Sequence, residues 1–79
     1  MIAFHSLPAL TAKQVVRALK KLGFIEDRQK GSHLVMINTF THRRTVIPIH
    51  SKKTIKKPLL KSIIENDVQI SIEEFKNFL

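Results

Sequence analysis

Apolar residues recur at helical spacing near the start of the chain, where they follow the i, i+3, i+4, i+7 rule of an amphipathic helix. The residues at this spacing are Ala12, Val15, Val16, Leu19 and Leu22. Thr11 and Gln14 have the types and spacing of a capping box, and Gly23 stands where a left-handed C-cap is favoured. The pattern predicts a first helix over about residues 12–22.

The middle of the chain contains three short stretches that are typical of strands. Residues 24–28 predict a short edge strand, and the Gly-Ser turn at 30–32 separates it from the apolar, partly β-branched stretch 33–39. A polar connection over 41–44 leads to a third strand at 45–49. Pro48 lies within this last stretch, so we expect it at an edge or a strand end.

The C-terminal part of the chain predicts helices. Pro58 suits the first turn of a second helix, whose apolar face is formed by Leu59, Leu60, Ile63 and Ile64. Ser71 and Glu74 have capping-box spacing and predict a short terminal helix. The order α-β-β-β-α-α predicts a single α+β domain over residues 1–79, with a three-stranded antiparallel sheet and helices on one face.

The other face of such a sheet stays open. Alternation along the central strand separates His33, Val35 and Ile37 from Leu34 and Met36. If Leu34 and Met36 meet the helices, His33 stands on the open face beside two exposed apolar residues. An uncovered apolar strip also suits a protein partner, which leaves open a third reading of the chain as a protein-binding adaptor.

The charge of the chain is high and unevenly distributed. The 79 residues carry 14 Lys or Arg against six acids, and residues 1–61 hold 13 of the bases but only Glu26 and Asp27 among the acids. An excess of this size is typical of a domain that binds a polyanion, nucleic acid above all. The longest apolar run is residues 34–37, and no signal-peptide pattern is present, so we expect no membrane span and a cytoplasmic location.

One histidine is the candidate for catalysis. His33 follows the Gly-Ser turn directly, close in sequence to Arg28 and Lys30. Histidine titrates near neutral pH, so it can move a proton between two oxygens, and cations can stabilise the charge that develops on a phosphate. His50 is a possible second proton carrier if its strand neighbours that of His33. The residue types alone leave open that both are ordinary surface histidines.

Four lysines precede the second helix and are candidate phosphate-binding residues: Lys52, Lys53, Lys56 and Lys57. A solubilising lysine loop is the alternative. We expect no metal and no cofactor. The histidines have no recognisable ligand spacing, the acids form no cluster, and the chain lacks Cys and phosphate-binding glycine loops.

Several stretches together resemble the HicA toxins of bacterial type II toxin–antitoxin systems. The first runs from Val15 to Phe24 and is followed by the Arg-x-x-Gly-Ser-His sequence at 28–33. The stretch 45–50 ends in Pro-x-His as the family's third strand does, and residues 60–64 and 71–75 look like its C-terminal helices. The resemblance covers about residues 7–79.

This resemblance implies a fold like that of double-stranded-RNA-binding domains (dsRBD-like) and a ribosome-independent cleavage of single-stranded mRNA. It maps the family's catalytic histidine onto His33 and implies a HicB-like antitoxin that covers the active face. We therefore expect an endoribonuclease that needs no metal, with Arg28 and Lys30 steering the phosphate. A non-catalytic RNA-binding module is the alternative function.

Overall fold

The computed structural model describes residues 7–79 and confirms the predicted α+β fold with its α-β-β-β-α order. The elements are α1 (Ala12–Lys21), β1 (Ile25–Lys30), β2 (His33–Asn38), β3 (Arg43–Pro48), α2 (Lys57–Ser62), a π-helical segment (Ile63–Val68) and α3 (Ile72–Lys76). Residues 1–6, which bear on the expected lack of a signal peptide, lie outside the described residues.

Helix α1 begins and ends as its sequence predicts. The Thr11 hydroxyl accepts a hydrogen bond from the Gln14 backbone N–H, and the Gln14 side chain accepts one from the Thr11 backbone N–H at 2.9 Å. At the other end Gly23 has φ +100°, and the Phe24 N–H donates to the Leu19 carbonyl at 2.9 Å. This closing bond is that of a Schellman motif, and it returns Phe24 to the core.

The three strands form one antiparallel sheet in the order β1-β2-β3, so β2 is central and Pro48 ends an edge strand, as expected. The predicted polar connection over 41–44 is wrong in its second half, because β3 already begins at Arg43. The Asn38 side chain accepts hydrogen bonds from the backbone of Phe40 and Thr41, which tightens the turn. Pairing therefore resumes at once, with Arg43 opposite Asn38.

All helices pack on one face of the sheet. Leu34 and Met36 of β2 and Ile47 of β3 join the core that the apolar faces of the helices complete. Their burial directs His33, Val35 and Ile37 to the other face. The expectation of two exposed apolar residues there is wrong, since Val35 is only 8% exposed and Ile37 is half-buried.

The predicted second helix is composite, because α2 continues into the π-helical segment, which ends at Val68 and is capped by Gln69 with φ +64°. Asp67 in this segment accepts a hydrogen bond of 2.8 Å from the buried Thr45 hydroxyl of β3. Helix α3 follows with Ser71 as its N-cap, accepting from the Glu74 N–H at 3.0 Å. Among residues 7–79, no helix has the length and apolar character to cross a membrane.

Substitution of Gly23 by Ala is expected to destabilise the protein more than the same change at Gly31. A Cβ on Gly23 would lie 3.2 Å from Asn38 Nδ2 at φ +100°, at a cost of about 1–3 kcal/mol. Gly31 has φ +58°, and none of residues 7–79 places an atom within 4 Å of its added Cβ, so about 1 kcal/mol is expected. Urea denaturation of both variants measures the difference, and equal losses would contradict this account.

Thr45→Val is expected to lower the free energy of unfolding by about 1–3 kcal/mol, because it removes the donor to the Asp67 carboxylate without changing side-chain shape. Thr45→Ser keeps the hydroxyl and serves as the control, with a smaller loss. If both variants unfold at the same denaturant concentration, the hydrogen bond contributes nothing measurable.

Candidate functional site

At the end of the sheet where β1 turns into β2, three paired residues form a row across the open face, namely Lys30, His33 and Pro48. His33 is paired with Lys30 of β1 on one side and with Pro48 of β3 on the other. Directly paired residues of antiparallel strands project to the same face, with Cα atoms about 4.5–5.5 Å apart. The register therefore brings Lys30 beside His33, as a site built from both residues requires.

Two more cations lie further along the open face. Arg28 is opposite Val35, and Arg44 is opposite Ile37 on the other edge strand. Arg28 also lies near a carboxylate, with its Nε 3.9 Å from Asp27 Oδ2, and the Arg28 side chain is 72% exposed. Arg28, Lys30 and Arg44 thus form a cationic border on both sides of β2.

Sequence reasoning missed Arg44, because it assigned residues 41–44 to a connection. Arg44 is two residues from Val46 and shares its strand face only if the strand extends that far. Only the length of the strand, set by the tight turn after Asn38, decides that Arg44 belongs to the sheet.

The His33 side chain is exposed, and its backbone is held on both sides. The turn before it closes through a hydrogen bond from Gln29 Nε2 to the Gly31 carbonyl at 3.1 Å. The Ile49 N–H donates to the Ser32 carbonyl at 2.6 Å, which extends the β2–β3 pairing beyond Pro48. Among residues 7–79, the His33 imidazole has no hydrogen-bond partner, so both ring nitrogens are open to a ligand.

A pocket of about 390 Å³ lies beside this row. Its apolar lining comes from Pro48, Ile55 and Leu59, and its polar lining from His50, Lys53, Thr54 and Lys56. Pro48 belongs both to the pocket and to the row of His33. His50 follows the end of β3 by two residues, β3 is the neighbour of β2, and the His50 side chain lines the pocket next to that row.

The loop that carries the lysines is anchored to the segment before α1. Thr54 forms a β-bridge with Thr11, and the Ile55 N–H donates to the Leu10 carbonyl at 2.7 Å. Within the loop, the Lys53 N–H donates to the His50 carbonyl at 3.1 Å, and Lys52 adopts a left-handed φ of +65°. These contacts hold the pocket wall in place.

The structure separates the four candidate lysines. Lys53 and Lys56 line the pocket with His50, whereas Lys52 lines a different cavity beside Lys13 of α1. Lys57 is the exposed first residue of α2. In the part of the chain that the structure describes, no group of three or more His, Asp or Glu is arranged to hold a metal ion.

The fold and the site define a small α+β domain whose open sheet face carries an exposed histidine among cations, which is a surface suited to a polyanion. A family model described as the HicA toxin of bacterial toxin–antitoxin systems matches residues 12–67, from α1 into the π-helical segment. The chain therefore belongs to the HicA toxin family and is the toxin component of such a system. No curated protein matches the chain.

Proposed function

We propose that this toxin is an endoribonuclease that cleaves single-stranded mRNA, with His33 as the general acid or base. The observation that carries the proposal is the exposed His33 imidazole in one row with Lys30 on the open sheet face. Membership of the HicA toxin family supports it, because that family is generally associated with ribonuclease toxins.

The proposed reaction uses only the RNA itself and side chains of this protein. The 2′-hydroxyl of the RNA loses its proton and attacks the adjacent phosphorus, so that an O2′–P bond forms and the P–O5′ bond breaks. The proton from the 2′-oxygen goes to a basic group, and the departing 5′-oxygen receives one from an acidic group. His33 serves one of these two steps, while Arg28 and Lys30 steer the phosphate and stabilise the charge on its oxygens.

His50 is the proposed partner for the other proton transfer. His50 lines the pocket, and Pro48, which lines the same pocket, is the ladder partner of His33. Both histidines are exposed. Lys53 and Lys56 lie in that pocket with His50 and are proposed to hold the RNA backbone, as are Lys52, which lines the neighbouring cavity, and Lys57 at the start of α2. Two histidines of this kind allow one to accept a proton while the other donates one.

The positions of the acids favour a metal-independent reaction, because metal-dependent cleavage uses a cluster of carboxylates. In β1, Glu26 pairs with Met36, a core residue, and forms an ion pair of 2.8 Å with Lys20 of α1. Asp27 lies near Arg28. The remaining acids belong to the C-terminal helical part.

The partner in the toxin–antitoxin system is proposed to be a HicB-like antitoxin that covers the open face. That face combines the cations Arg28, Lys30 and Arg44 with the apolar Ile25, which is 53% exposed. A complementary antitoxin surface carries acidic side chains around apolar ones. When bound to the open face, the antitoxin blocks access of RNA to His33.

His33→Ala is expected to slow RNA cleavage by about 100- to 10,000-fold, because general acid–base catalysis by one side chain contributes that much. The purified protein and the variant are incubated in EDTA with RNA, and with the same strand carrying 2′-deoxy sugars, which must stay intact. Products are separated by denaturing electrophoresis and examined for a 2′,3′-cyclic phosphate end. RNA affinity of the variant is expected to stay close to that of the wild type.

The matched control is His42→Asn. His42 is also an exposed histidine, but it lies in the β2–β3 turn, and Asn tolerates its left-handed φ of +62°. Cleavage at wild-type rate is expected from this control. Equal cleavage by wild type and His33→Ala would remove His33 from the mechanism, and RNA binding without any cleavage would favour the non-catalytic binding module.

Arg44→Ala is expected to weaken RNA binding and to reduce the slope of log affinity against log salt by about 0.7, the value for one phosphate contact on a single strand. The measurement uses the His33→Ala background, so that the RNA stays intact. Lys21→Ala on α1 removes one positive charge on the other side of the sheet and is expected to leave the slope unchanged. An equal reduction in both variants would argue against binding at the open face.

A further inference from the structure

The pocket beside the His33 row differs in character from the open face itself. Its apolar lining comes from Pro48, Ile55 and Leu59, and Leu59 is 43% exposed. Its volume of about 390 Å³ falls in the range of roughly 300–1,000 Å³ that small-molecule sites occupy. An apolar concavity of this size takes an uncharged, flat or compact group.

The polar lining of the pocket selects the kind of molecule that carries such a group. Lys53 and Lys56 are exposed, and His50 is the other titratable residue that lines the pocket within residues 7–79, where none of the lining residues is an acid. A ligand that matches is apolar in its body and negatively charged at its edge. A nucleotide has this character, because its base has an apolar face while its phosphate is anionic.

The position of the pocket relative to His33 favours a strand of RNA over a free nucleotide. Pro48 is the direct ladder partner of His33, so the apolar wall begins about 4.5–5.5 Å from the His33 Cα. If a phosphodiester lies next to the imidazole, the base of an adjoining nucleotide can therefore reach the pocket. The backbone contacts of Thr54 and Ile55 anchor this wall of the pocket to the segment before α1.

We propose that the pocket binds one unstacked base of single-stranded RNA, adjacent to the phosphate that His33 acts on. This inference rests on the proposed ribonuclease function and adds to it a subsite that requires a base turned out of any stack. Leu59, Ile55 and Pro48 cover the base, and Lys53 and Lys56 hold its flanking phosphates. A base in a duplex stays stacked and paired and therefore does not enter the pocket.

The first test uses the ligand without the reaction. The methyl NMR signals of Ile55 and Leu59 are followed during titration with the four nucleoside 5′-monophosphates and with ribose 5-phosphate, which has the charge but no base. Saturable shifts of both residues with at least one nucleotide, and none with ribose 5-phosphate, support the proposal. Equal shifts with ribose 5-phosphate, or no shift with any nucleotide, overturn it, and the latter leaves the pocket to an apolar side chain of a protein partner.

The second test determines which nucleotide of a bound RNA strand places its base in the pocket. A short RNA with 2′-O-methyl sugars, which block attack by the 2′-oxygen, is made with one abasic position moved along its length. In the wild type one position is expected to lose about 5- to 100-fold in affinity when its base is removed. Leu59→Ala is expected to abolish this penalty, whereas Leu79→Ala, a leucine of similar exposure (46%) lining a different cavity, keeps it.

The outcomes separate this inference from the proposed function. If RNA is bound and cleaved but abasic penalties are the same in wild type and Leu59→Ala at every position, the base pocket is wrong and the ribonuclease stands. If nucleotides move the Ile55 and Leu59 signals and Leu59→Ala abolishes the penalty while no RNA is cleaved, the pocket stands and the catalytic role of His33 is wrong.

Discussion

The arrangement of this molecule depends on the burial of two side chains of the central strand. Leu34 and Met36 enter the core beneath the helices. Because a strand alternates its side chains with a period of two, their burial fixes His33 on the opposite face. A slip of one residue in register would bury the histidine and expose two core residues, so the same apolar contacts that stabilise the fold also keep the imidazole in solvent.

The antiparallel pairing then determines the neighbours of that histidine. Lys30 and Pro48 come from different strands and meet on either side of His33 only because both ladders keep their register at this end of the sheet. The irregularity in β1 between Glu26 and Arg28 matters here as well. In a ladder that continued regularly from the β1–β2 turn, Glu26 would be opposite Ile37, which would put an acid on the open face; the irregularity places Ile25 there instead.

The lysine loop is a second element that joins distant parts of the chain. It follows β3, bridges to Thr11 at the start of α1, and leads into α2. One loop therefore connects the cap of the first helix with the wall of the pocket beside the sheet. This arrangement divides the lysines of the loop between two places. Lys53 and Lys56 line the pocket together with its apolar side chains, and Lys52 lies toward α1.

The sequence by itself determined the elements whose causes are local. The Thr11 capping box and the Gly23 C-cap each depend on residues a few positions apart, and the structure agrees with both. The alternation of β2 separates His33 from Leu34 and Met36, but only the packing decides which of the two sets meets the helices. The family resemblance, which depends on short motifs, is confirmed as well. The tertiary structure alone decided that Arg44 joins the sheet, that Val35 is covered, and that Leu59 lines a pocket with Lys53 and Lys56. These facts depend on strand length, on cross-strand packing and on the return of a loop to a distant segment, and none of these leaves a periodic signal in the chain.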